Sequence, residues 1–382
     1  RPPAGGPVSK QEGGVGLKVA VVGGGNGSYA AAAHLAAEGH EVSMWPGDQG
    51  RHAALFSTRA IRIDGLGKGM MARPACVSSR IDQVIPSADV VIAMDPAFTQ
   101  ESRARLLAPW LEDGQVVLLS PGSLGGYAFT RACRTAGCGA DIVCAEPGTL
   151  PYLARKSVVA AEGEVPAVFL SGRTVRLPIG AFPARRTAEV VTTLSALYPE
   201  AHGVEDALSV ALLNVGPIIH SVLVLMNVGP IESQPSWDIH NEGSSPSVKR
   251  LVLEHDAERV VLRRALGYAP PHYPFADHYA PGPDRHWMYG DAGHRELVEG
   301  ERWREKLTLQ HRYVLEDVRL NLALQASVGR WSGTPTPIMQ SLLVLFGSLL
   351  HEDLSRSPRT LEALGLAGMT RAALRSLLTV GL

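Results

Sequence analysis

A strand that runs through a glycine-rich turn into a helix constrains this chain more than any other feature. The apolar run Leu17–Val22 favours a β-strand, and the Ala-rich segment Tyr29–Glu38 is typical of a helix. The turn between them has the sequence Gly-Gly-Gly-Asn-Gly-Ser, close to the G-x-G-x-x-G fingerprint of dinucleotide-binding folds, with serine in the third position. Its first glycine makes the tight turn, and its second lets the backbone approach a pyrophosphate at the helix N-terminus. The sequence therefore predicts a cofactor-binding loop at Gly23, Gly25, Asn26, Gly27 and Ser28.

The end of the second predicted strand, Glu41–Trp45, bears on which nicotinamide cofactor this loop accepts. An acidic residue about 20 residues beyond the glycines binds the ribose 2′-hydroxyl of NAD, whereas a cation accommodates the 2′-phosphate of NADP. Trp45 is followed by Pro and Gly; Asp48 lies further along and is followed by Arg51. We therefore expect Trp45 and Arg51 to contact the cofactor and slightly favour NADP, with NAD as the open alternative.

Further apolar runs alternate with helical patterns and predict the rest of the fold. They lie at Ala88–Met94, Gln115–Ser120 and Asp141–Ala145, and such alternation is typical of a parallel sheet. From about residue 188 the pattern changes to long helical segments. We predict an α/β fold, with an NAD(P)-binding Rossmann-type domain at 17–187 and an all-helical domain at 188–382, after an unstructured segment at 1–16. Ligands of such sheets bind beyond the carboxyl ends of the strands, so Pro96, Ala97 and Pro121 should border the cofactor.

Bulk composition excludes several classes of function. Lys plus Arg number 36 and Asp plus Glu 37, so the chain lacks the basic field of a general nucleic-acid binder. Its four cysteines form no C-x-x-C pair, and we predict no metal site. The most apolar stretch, Ala207–Ile231, is interrupted by Asn, His, Gly and Pro, whereas a membrane span needs about 20 apolar residues without such breaks. Because Arg1–Gly16 also lacks an apolar signal region, we predict a soluble, cytoplasmic protein that does not bind membranes.

Two polar positions stand out in the helical half. Asn214 and His220 fall within an apolar segment, where a histidine is more often a hydrogen-bonded core residue than a catalytic one. Asp317 lies in a polar cluster of a later helical stretch. A buried carboxylate needs a partner, and an aspartate bound to one imidazole nitrogen fixes the tautomer and raises the basicity of the other. Paired in this way, His220 and Asp317 would move a proton while a nicotinamide moves a hydride.

Several segments, in order along residues 17–378, resemble those of the opine dehydrogenases, the octopine/nopaline dehydrogenase family. The chain is most similar to the bacterial N-(1-carboxyethyl)norvaline-type enzymes. The matches include Val-Val-Gly-Gly-Gly-Asn-Gly at 21–27, Ser-Pro-Gly at 120–122, Asn-Val-Gly-Pro-Ile-Ile-His at 214–220, Arg-Tyr-Val-Leu-Glu-Asp-Val at 312–318, and shorter segments at 245–248, 256–259, 327–330, 334–337 and 359–366. The resemblance implies an enzyme that condenses an amino acid with a 2-oxo acid and reduces the resulting imine with NAD(P)H. It also implies that His220 donates or accepts the proton, that Asp317 is its charge partner, and that Asn214 positions the oxo acid or imine.

Residues around this pair are candidates for binding the substrates. The product of such a reaction carries two carboxylates, which favours cationic anchors, and Arg319 lies two residues beyond Asp317. The segment with Tyr152, followed by Arg155 and Lys156, faces the active site in relatives of this family. Trp237, His240 and Asn241 lie between two predicted helices and are candidates to face the substrate. A lid over the pocket is predicted from aromatic and histidine residues of the long loop 268–294, namely His272, Tyr273, His278, Tyr279, His286 and Trp287.

Other interpretations remain open. Ketopantoate and 2-hydroxy-acid reductases share the two-domain arrangement but favour a lysine as acid and base. An imine reductase of secondary metabolism, or a sensor that binds NAD(P) without turnover, is also compatible with the glycine loop. The apolar helices at 207–228 and 337–350 either pack inside the helical domain or form a dimer interface, and we favour a homodimer.

Overall fold

An eight-stranded sheet forms the N-terminal half of the protein. The structure is a computed structural model and describes residues 16–119, 121–157, 163–279, 288–289, 304 and 306–382. The strands of this sheet and of a second, smaller one are β1 (Lys18–Val22), β2 (Glu41–Trp45), β3 (Ile61–Gly65), β4 (Met70–Ala72), β5 (Cys76–Val77), β6 (Val90–Ala93), β7 (Val116–Leu119), β8 (Val143–Pro147), β9 (Tyr152–Lys156), β10 (Ala167–Arg173), β11 (Leu177–Phe182) and β12 (Ala201–Gly203). The eight-stranded sheet has the order β12-β11-β8-β7-β6-β1-β2-β5.

The topology of this sheet creates a crevice for a ligand. All neighbouring strands are parallel except β8 and β11, and β1 lies between β2 and β6. Because the chain builds outward from β1 in both directions, the connections diverge between β1 and β6, where dinucleotides bind in folds of this kind. The strands β6 and β7 are buried at every residue, as expected for strands covered on both faces. The predicted α/β fold with an N-terminal Rossmann-type sheet is confirmed.

A second, four-stranded sheet in the order β4-β3-β10-β9 packs on the first helix, α1 (Asn26–Ala37). His34 on α1 contacts β9 through a hydrogen bond of 3.1 Å between its Nδ1 and the hydroxyl of Tyr152. Tyr152 in turn donates to the hydroxyl of Tyr198 over 3.2 Å. This sheet therefore holds β9 against the helix that follows the glycine loop, a placement that the apolar runs alone do not predict.

The C-terminal half is helical. Its helices, with those of the first half, are α2 (Ala53–Thr58), α3 (Gln100–Leu107), α4 (Gly125–Thr135), α5 (Thr187–Ser195), α6 (Ala207–Ala211), α7 (Gly216–Met226), α8 (Val228–Ser233), α9 (Pro246–Ala265), α10 (Ala276–Tyr279), α11 (Ala323–Ser332), α12 (Pro337–Leu350) and α13 (Arg371–Val380). A π-helix spans Tyr313–Leu322 directly before α11 and packs along α7. Because π-helical turns are rare and often occur at functional sites, this segment marks a candidate site.

The segment predicted as one helix at 207–228 is interrupted in the structure. The helices α6 and α7 are separated at residues 212–215, and α7 begins at Gly216 with Pro217 in its first turn, where the missing N–H costs nothing. By length and composition alone, Ala207–Met226 is apolar enough to cross a membrane, but 78% of its most apolar window is buried inside the structure. Burial of that extent is what a core helix shows, so the finding does not argue for a membrane span.

The two halves do not divide at residue 187 as predicted. Strand β12 pairs with β11 through Ala201 and Gly203, so the sheet continues beyond that boundary. At the other end of the chain, Arg185 donates to the carbonyl of Val380, which brings α13 back against the first half. The boundary is therefore better placed after Gly203, because a strand belongs to the sheet with which it pairs. The predicted unstructured segment at 1–16 lies outside the described residues except for Gly16.

Candidate functional site

A cavity of about 400 Å³ lies where the sheet meets the helical half. Its wall combines the glycine loop, the ends of β6 and β7, the strand β9, helix α7 and the π-helix. Nine of the predicted site residues line it: Gly25, Asn26, Gly27, Pro96, Pro121, Tyr152, Asn214, His220 and Asp317. The fold therefore brings the predicted cofactor loop and the predicted proton-transfer pair into one space.

The glycine loop has the geometry that a diphosphate requires. Gly23 has a φ of +107°, which L side chains rarely adopt, and its N–H donates to the carbonyl of Trp45 over 2.9 Å. Helix α1 begins after Gly25 without a side-chain cap, so its first N–H groups face the cavity end of the loop. A Cβ at Gly25 would meet no atom within 4 Å. The open, uncapped helix N-terminus fits the pyrophosphate of a nicotinamide dinucleotide, and Ser28, buried behind it, lies 3.4 Å from the Val22 carbonyl.

The tip of β2 presents cations rather than a free acid. Asp48 is exposed, and its carboxylate accepts the N–H of Arg51 over 3.0 Å; this bond lowers the pKa of Asp48. Arg51 is exposed beside it. The guanidinium of Arg103 lies 5.0 Å over the ring of Trp45 and donates to Asp95 over 2.6 Å. Neither Trp45 nor Arg51 lines the cavity itself, and both stand at the strand end where the adenosine half of a dinucleotide binds in this fold.

Lys156, at the end of β9, adds a cation to the glycine loop. Its Nζ donates to the carbonyl of Gly24 over 2.7 Å, and its backbone N–H donates to Oδ1 of Asn26 over 3.1 Å. The ammonium also lies 5.0 Å over the ring of Tyr29. Burial and the nearby Arg51 lower the pKa of this lysine. A cation at this position complements the charge of a diphosphate. The second sheet positions it, because Lys156 is the last residue of β9.

His220 and Asp317 form the predicted pair. Nδ1 of His220 donates to Oδ2 of Asp317 over 2.7 Å, and the side chains are 14% and 5% exposed. The ring of Tyr313 stacks on the imidazole with centroids 3.6 Å apart and planes inclined by 14°. Gly216 makes this approach possible, because a Cβ there would lie 2.6 Å from Oδ1 of Asp317. Nδ1 is thus bonded to the carboxylate, and the side chain of His220 forms part of the cavity wall.

The acidic groups of the π-helix are strongly perturbed. Burial raises the pKa of Asp317 to about 6, opposed by the charge of Arg312 and a hydrogen bond from Asn321. Burial and the charge of Asp317 raise the pKa of Glu316 to about 7. Such shifts concentrate at functional sites, where proton transfer needs groups that titrate near the working pH. The ionised form of Asp317 accepts a hydrogen bond from the Nδ1–H of His220.

Asn214 lies in the cavity wall, and its side-chain amide forms hydrogen bonds with backbone groups. Its Nδ2 donates to the carbonyl of Gly122 over 3.1 Å, and its Oδ1 accepts the N–H of Gly216 over 2.9 Å. It therefore joins the turn after β7 to the first turn of α7, the helix that carries His220. The structure thus places it as a bridge between the two halves, in the cavity wall.

Two residues predicted to bind substrate lie elsewhere. Arg319 donates to Glu352 over 2.5 Å and does not line the cavity, because residues two apart on a helix point in different directions. Trp237 donates its Nε1 to Asn227 over 2.9 Å and packs against the core around α7, outside the cavity wall. Tyr152 does line the cavity, with its hydroxyl engaged by His34 and Tyr198. Cations in the wall are instead Arg155, Lys249 and Arg312.

Ala97 was predicted to border the cofactor, but it is buried and does not line the cavity. Its neighbour Pro96 does line the cavity. Of the predicted lid residues, His278 lines the cavity, whereas His286 and Trp287 lie outside the described residues. Tyr289, which was not among the predicted lid residues, also lines the cavity. Among the residues that the structure describes, no three His, Cys, Asp or Glu side chains are arranged to hold a metal ion.

The sequence arguments missed two residues of the site. Tyr313 and Glu316 belong to the same segment as Asp317, but their roles depend on contacts with His220 and with the sheet half of the chain. A polar cluster in an apolar helical stretch was the signal available for both. Of the candidates between the two predicted helices, His240 and Asn241 line the cavity, and the ring centroid of His240 lies 5.8 Å from that of His220.

Comparisons with known proteins show which enzymes the chain is similar to. Residues 203–350 match the family model of the α-helical domain of NAD/NADP octopine/nopaline dehydrogenases. The opine dehydrogenase of Arthrobacter sp. (strain 1C) is 29% identical over 362 residues, which cover 94% of this chain and 97% of that protein. An octopine dehydrogenase solved with NADH and L-arginine has a TM-score of 0.70 at 17% identity, covering 96% of this chain and 98% of that one. A yersinopine dehydrogenase solved with NADP⁺ has a TM-score of 0.62 at 14% identity, with coverage of 96% and 98%. The predicted resemblance to the opine dehydrogenases is confirmed, and these relatives indicate that the chain is an NAD(P)-dependent oxidoreductase.

Proposed function

We propose that the protein catalyses the NAD(P)H-dependent reductive condensation of an amino acid with a 2-oxo acid through an imine. The observation that carries the proposal is the position of the His220–Asp317 pair, joined by a 2.7 Å hydrogen bond, in the same cavity as the glycine loop. A reduced nicotinamide seated there supplies the hydride. The chain's own residues supply binding, orientation and proton transfer.

The proton transfers follow from the geometry of the pair. The neutral imidazole of His220 takes a proton from the ammonium of the amino acid, which frees the amine to add to the carbonyl carbon of the oxo acid. In the adduct a proton moves from nitrogen to oxygen, and the imidazolium then returns its proton to the resulting hydroxyl, which leaves as water. The product of this step is the protonated imine, which needs only a hydride at carbon to become the secondary amine. Asp317 stabilises the imidazolium through Nδ1 and keeps Nε2 directed at the substrate. Tyr313, stacked on the ring, restricts its rotation.

Cations in the wall support a substrate pair with two carboxylates. Arg155, Lys249 and Arg312 all line the cavity, on β9, α9 and the start of the π-helix. Guanidinium and ammonium groups bind carboxylates through short charge-assisted hydrogen bonds. We assign the substrate carboxylates to this set, which replaces Arg319. Asn214 and Tyr152 shape the wall beside it.

For the cofactor we propose NADP in preference to NAD. The carboxylate of Asp48 is held by the turn of Arg51, and the cations Arg51 and Lys156 lie near the β2 tip and the glycine loop. A 2′-phosphate is better matched by these cations than a 2′-hydroxyl. We also propose a cytoplasmic location, where reduced cofactor, amino acids and 2-oxo acids occur together.

We further propose a homodimer. The segment 207–226 is mostly buried, so α12 is the remaining candidate interface, and it exposes Val344 and Leu345 at 69% and 51%. Contiguous exposed apolar side chains often mark an interaction surface. Light scattering at micromolar concentration tests this directly, and a monomer that persists at that concentration would contradict it.

The decisive experiment crosses NADH and NADPH with a panel of 2-oxo acids, each with and without a panel of amino acids. Loss of absorbance at the nicotinamide band reports turnover, and mass spectrometry identifies the secondary-amine product. We expect oxidation that requires both substrates. Oxidation with a 2-oxo acid alone, giving a hydroxy acid, would instead support a reductase of the ketopantoate type.

A further inference from the structure

The peptide of Ala97 is held at both ends by charged side chains from the helical half. Its N–H donates to Oε1 of Glu316 over 2.9 Å, and its carbonyl accepts Nη2 of Arg359 over 2.9 Å. The three residues are 1%, 1% and 4% exposed. Both bonds are therefore made in the interior, where charge-assisted hydrogen bonds are strongest.

This peptide belongs to the turn that forms one wall of the cofactor crevice. Residues Asp95 and Pro96 line the cavity immediately before Ala97, and a single 3₁₀ turn, Ala97–Thr99, follows. The turn comes after β6, whose neighbour β1 leads into the glycine loop. In sheets of this topology the dinucleotide crosses between these two strand ends. A shift of the Ala97 peptide would therefore move Pro96 in the wall beside the nicotinamide half.

The same π-helix holds the proton-transfer pair. Glu316 precedes Asp317, whose carboxylate accepts from His220 over 2.7 Å. Two successive carboxylates thus point to different partners, one to the sheet half and one to the catalytic imidazole. The distance between the cofactor wall and His220 is set through this one turn of helix.

We propose that Glu316 is a positioning residue, which sets the distance between the reduced nicotinamide and the His220–Asp317 pair by holding the Ala97 peptide. This inference rests on the proposed function, because it assigns a role within that reaction. In this role Glu316 acts through Ala97; its side chain also lines the cavity, where Oε2 lies 3.8 Å from Nη1 of Arg312. What the role requires is an oxygen acceptor at the reach of a glutamate side chain, whether or not it carries a charge.

Three substitutions in the full chain separate reach from charge. Glu316→Gln keeps the acceptor and its reach but removes the charge. Glu316→Asp keeps the charge but shortens the side chain by one methylene, about 1.5 Å. Glu316→Ala removes both. Glu362→Ala, at an exposed surface ion pair, is the matched control for loss of a carboxylate.

The first measurement is hydrogen exchange of the peptide that contains Ala97, which needs no turnover. We expect protection of this amide in the wild type and in Glu316→Gln, and faster exchange in Glu316→Asp and Glu316→Ala. The second measurement is kcat with a primary isotope effect from deuterated NADPH. We expect Glu316→Gln and the control within threefold of wild type, and a loss of about 10- to 100-fold in the other two, the range for removal of a charged hydrogen-bond partner. The isotope effect should rise in those two variants, because a lengthened hydride path makes that step limiting.

Two results would overturn the inference. One is wild-type exchange and kcat in both Glu316→Asp and Glu316→Ala. The other is a loss in Glu316→Gln equal to that in Glu316→Ala with Glu316→Asp unaffected, because then charge and not the Ala97 bond matters. If Glu316→Ala fails to fold, the Gln and Asp pair decides the question. A wild type without amine-dependent turnover would contradict the proposed function, whereas the exchange measurement would still report on the Ala97 contact.

Discussion

Asp317→Asn is the substitution that tests the proton-transfer pair most directly. It keeps the size of the side chain and removes the negative charge that faces Nδ1 of His220 at 2.7 Å. Two unit charges about 4 Å apart, at an effective dielectric constant of about 20, attract each other by about 4 kcal/mol. Because 1.36 kcal/mol corresponds to a factor of ten, loss of this attraction for the imidazolium should lower kcat by about a thousandfold.

The assay is initial-rate oxidation of NADPH at saturating amino acid and 2-oxo acid. In the wild type, kcat should fall as the pH drops through about 6, the raised pKa of the buried Asp317, because the protonated carboxyl no longer stabilises the imidazolium. This acidic limb should be absent in Asp317→Asn. Asp353→Asn, with a side chain 62% exposed, makes the same chemical change away from the cavity and should stay within twofold of wild type. A loss of less than tenfold in correctly folded Asp317→Asn would refute the assignment of this pair.

Three further predictions follow from the site. Gly25→Ala should leave the melting temperature unchanged, because the added Cβ meets no protein atom, but should weaken NADPH binding at least tenfold in a fluorescence titration, because the methyl group occupies the path of the diphosphate. Gly139→Ala, at an equally open position, should change neither quantity. Unchanged NADPH binding in Gly25→Ala would argue against this loop as the cofactor site. Arg319→Ala should leave both substrate KM values within twofold, whereas Arg155→Ala should raise that of one substrate about tenfold or more; the reverse pattern would restore Arg319 as the anchor. The pKa of Glu316 is raised from 4.5 to about 7 in the folded protein, so folding takes up a proton between these pH values and the stability of the wild type declines as the pH rises through them. Glu316→Gln cannot titrate, so its melting temperature relative to wild type should increase from pH 5 to pH 8. A difference that stays constant over this range would count against the raised pKa.

Local chemistry was enough to predict the cofactor half of the site. The strand, the glycines and the helix of the predicted pyrophosphate site are contiguous between residues 18 and 37, so their geometry depends on backbone preferences that a sequence displays directly. The alternation of buried runs predicted a parallel sheet for the same reason. The loops after β6 and β7 could be placed at the crevice, because parallel strands end at one edge of a sheet.

The residues that face the cavity from the helical half could not all be predicted, because the sequence does not show in which direction each side chain points. Asp317 and Arg319 are two residues apart and equally polar in the sequence, but one faces His220 and the other faces Glu352. Likewise, Trp237 turns to Asn227, whereas His240, three residues later, faces the cavity. Burial and rotation about the helix axis separate such neighbours, and neither is visible before the helices are packed.

The sequence by itself thus determined that this chain binds a dinucleotide on an α/β sheet, since that motif is local and its glycines allow few other uses. The pairing of His220 with Asp317 was inferred from chemistry and family resemblance, and its 2.7 Å contact exists because α7 lies along the π-helix. Tertiary structure alone decided that Lys156 contacts the glycine loop and that Glu316 and Arg359 form hydrogen bonds with the peptide of Ala97. Those contacts join residues 132, 219 and 262 positions apart. The second sheet, packed on α1, brings Lys156 to the glycine loop, and the packing of the helical half on the sheet half brings Glu316 and Arg359 out of water and against Ala97.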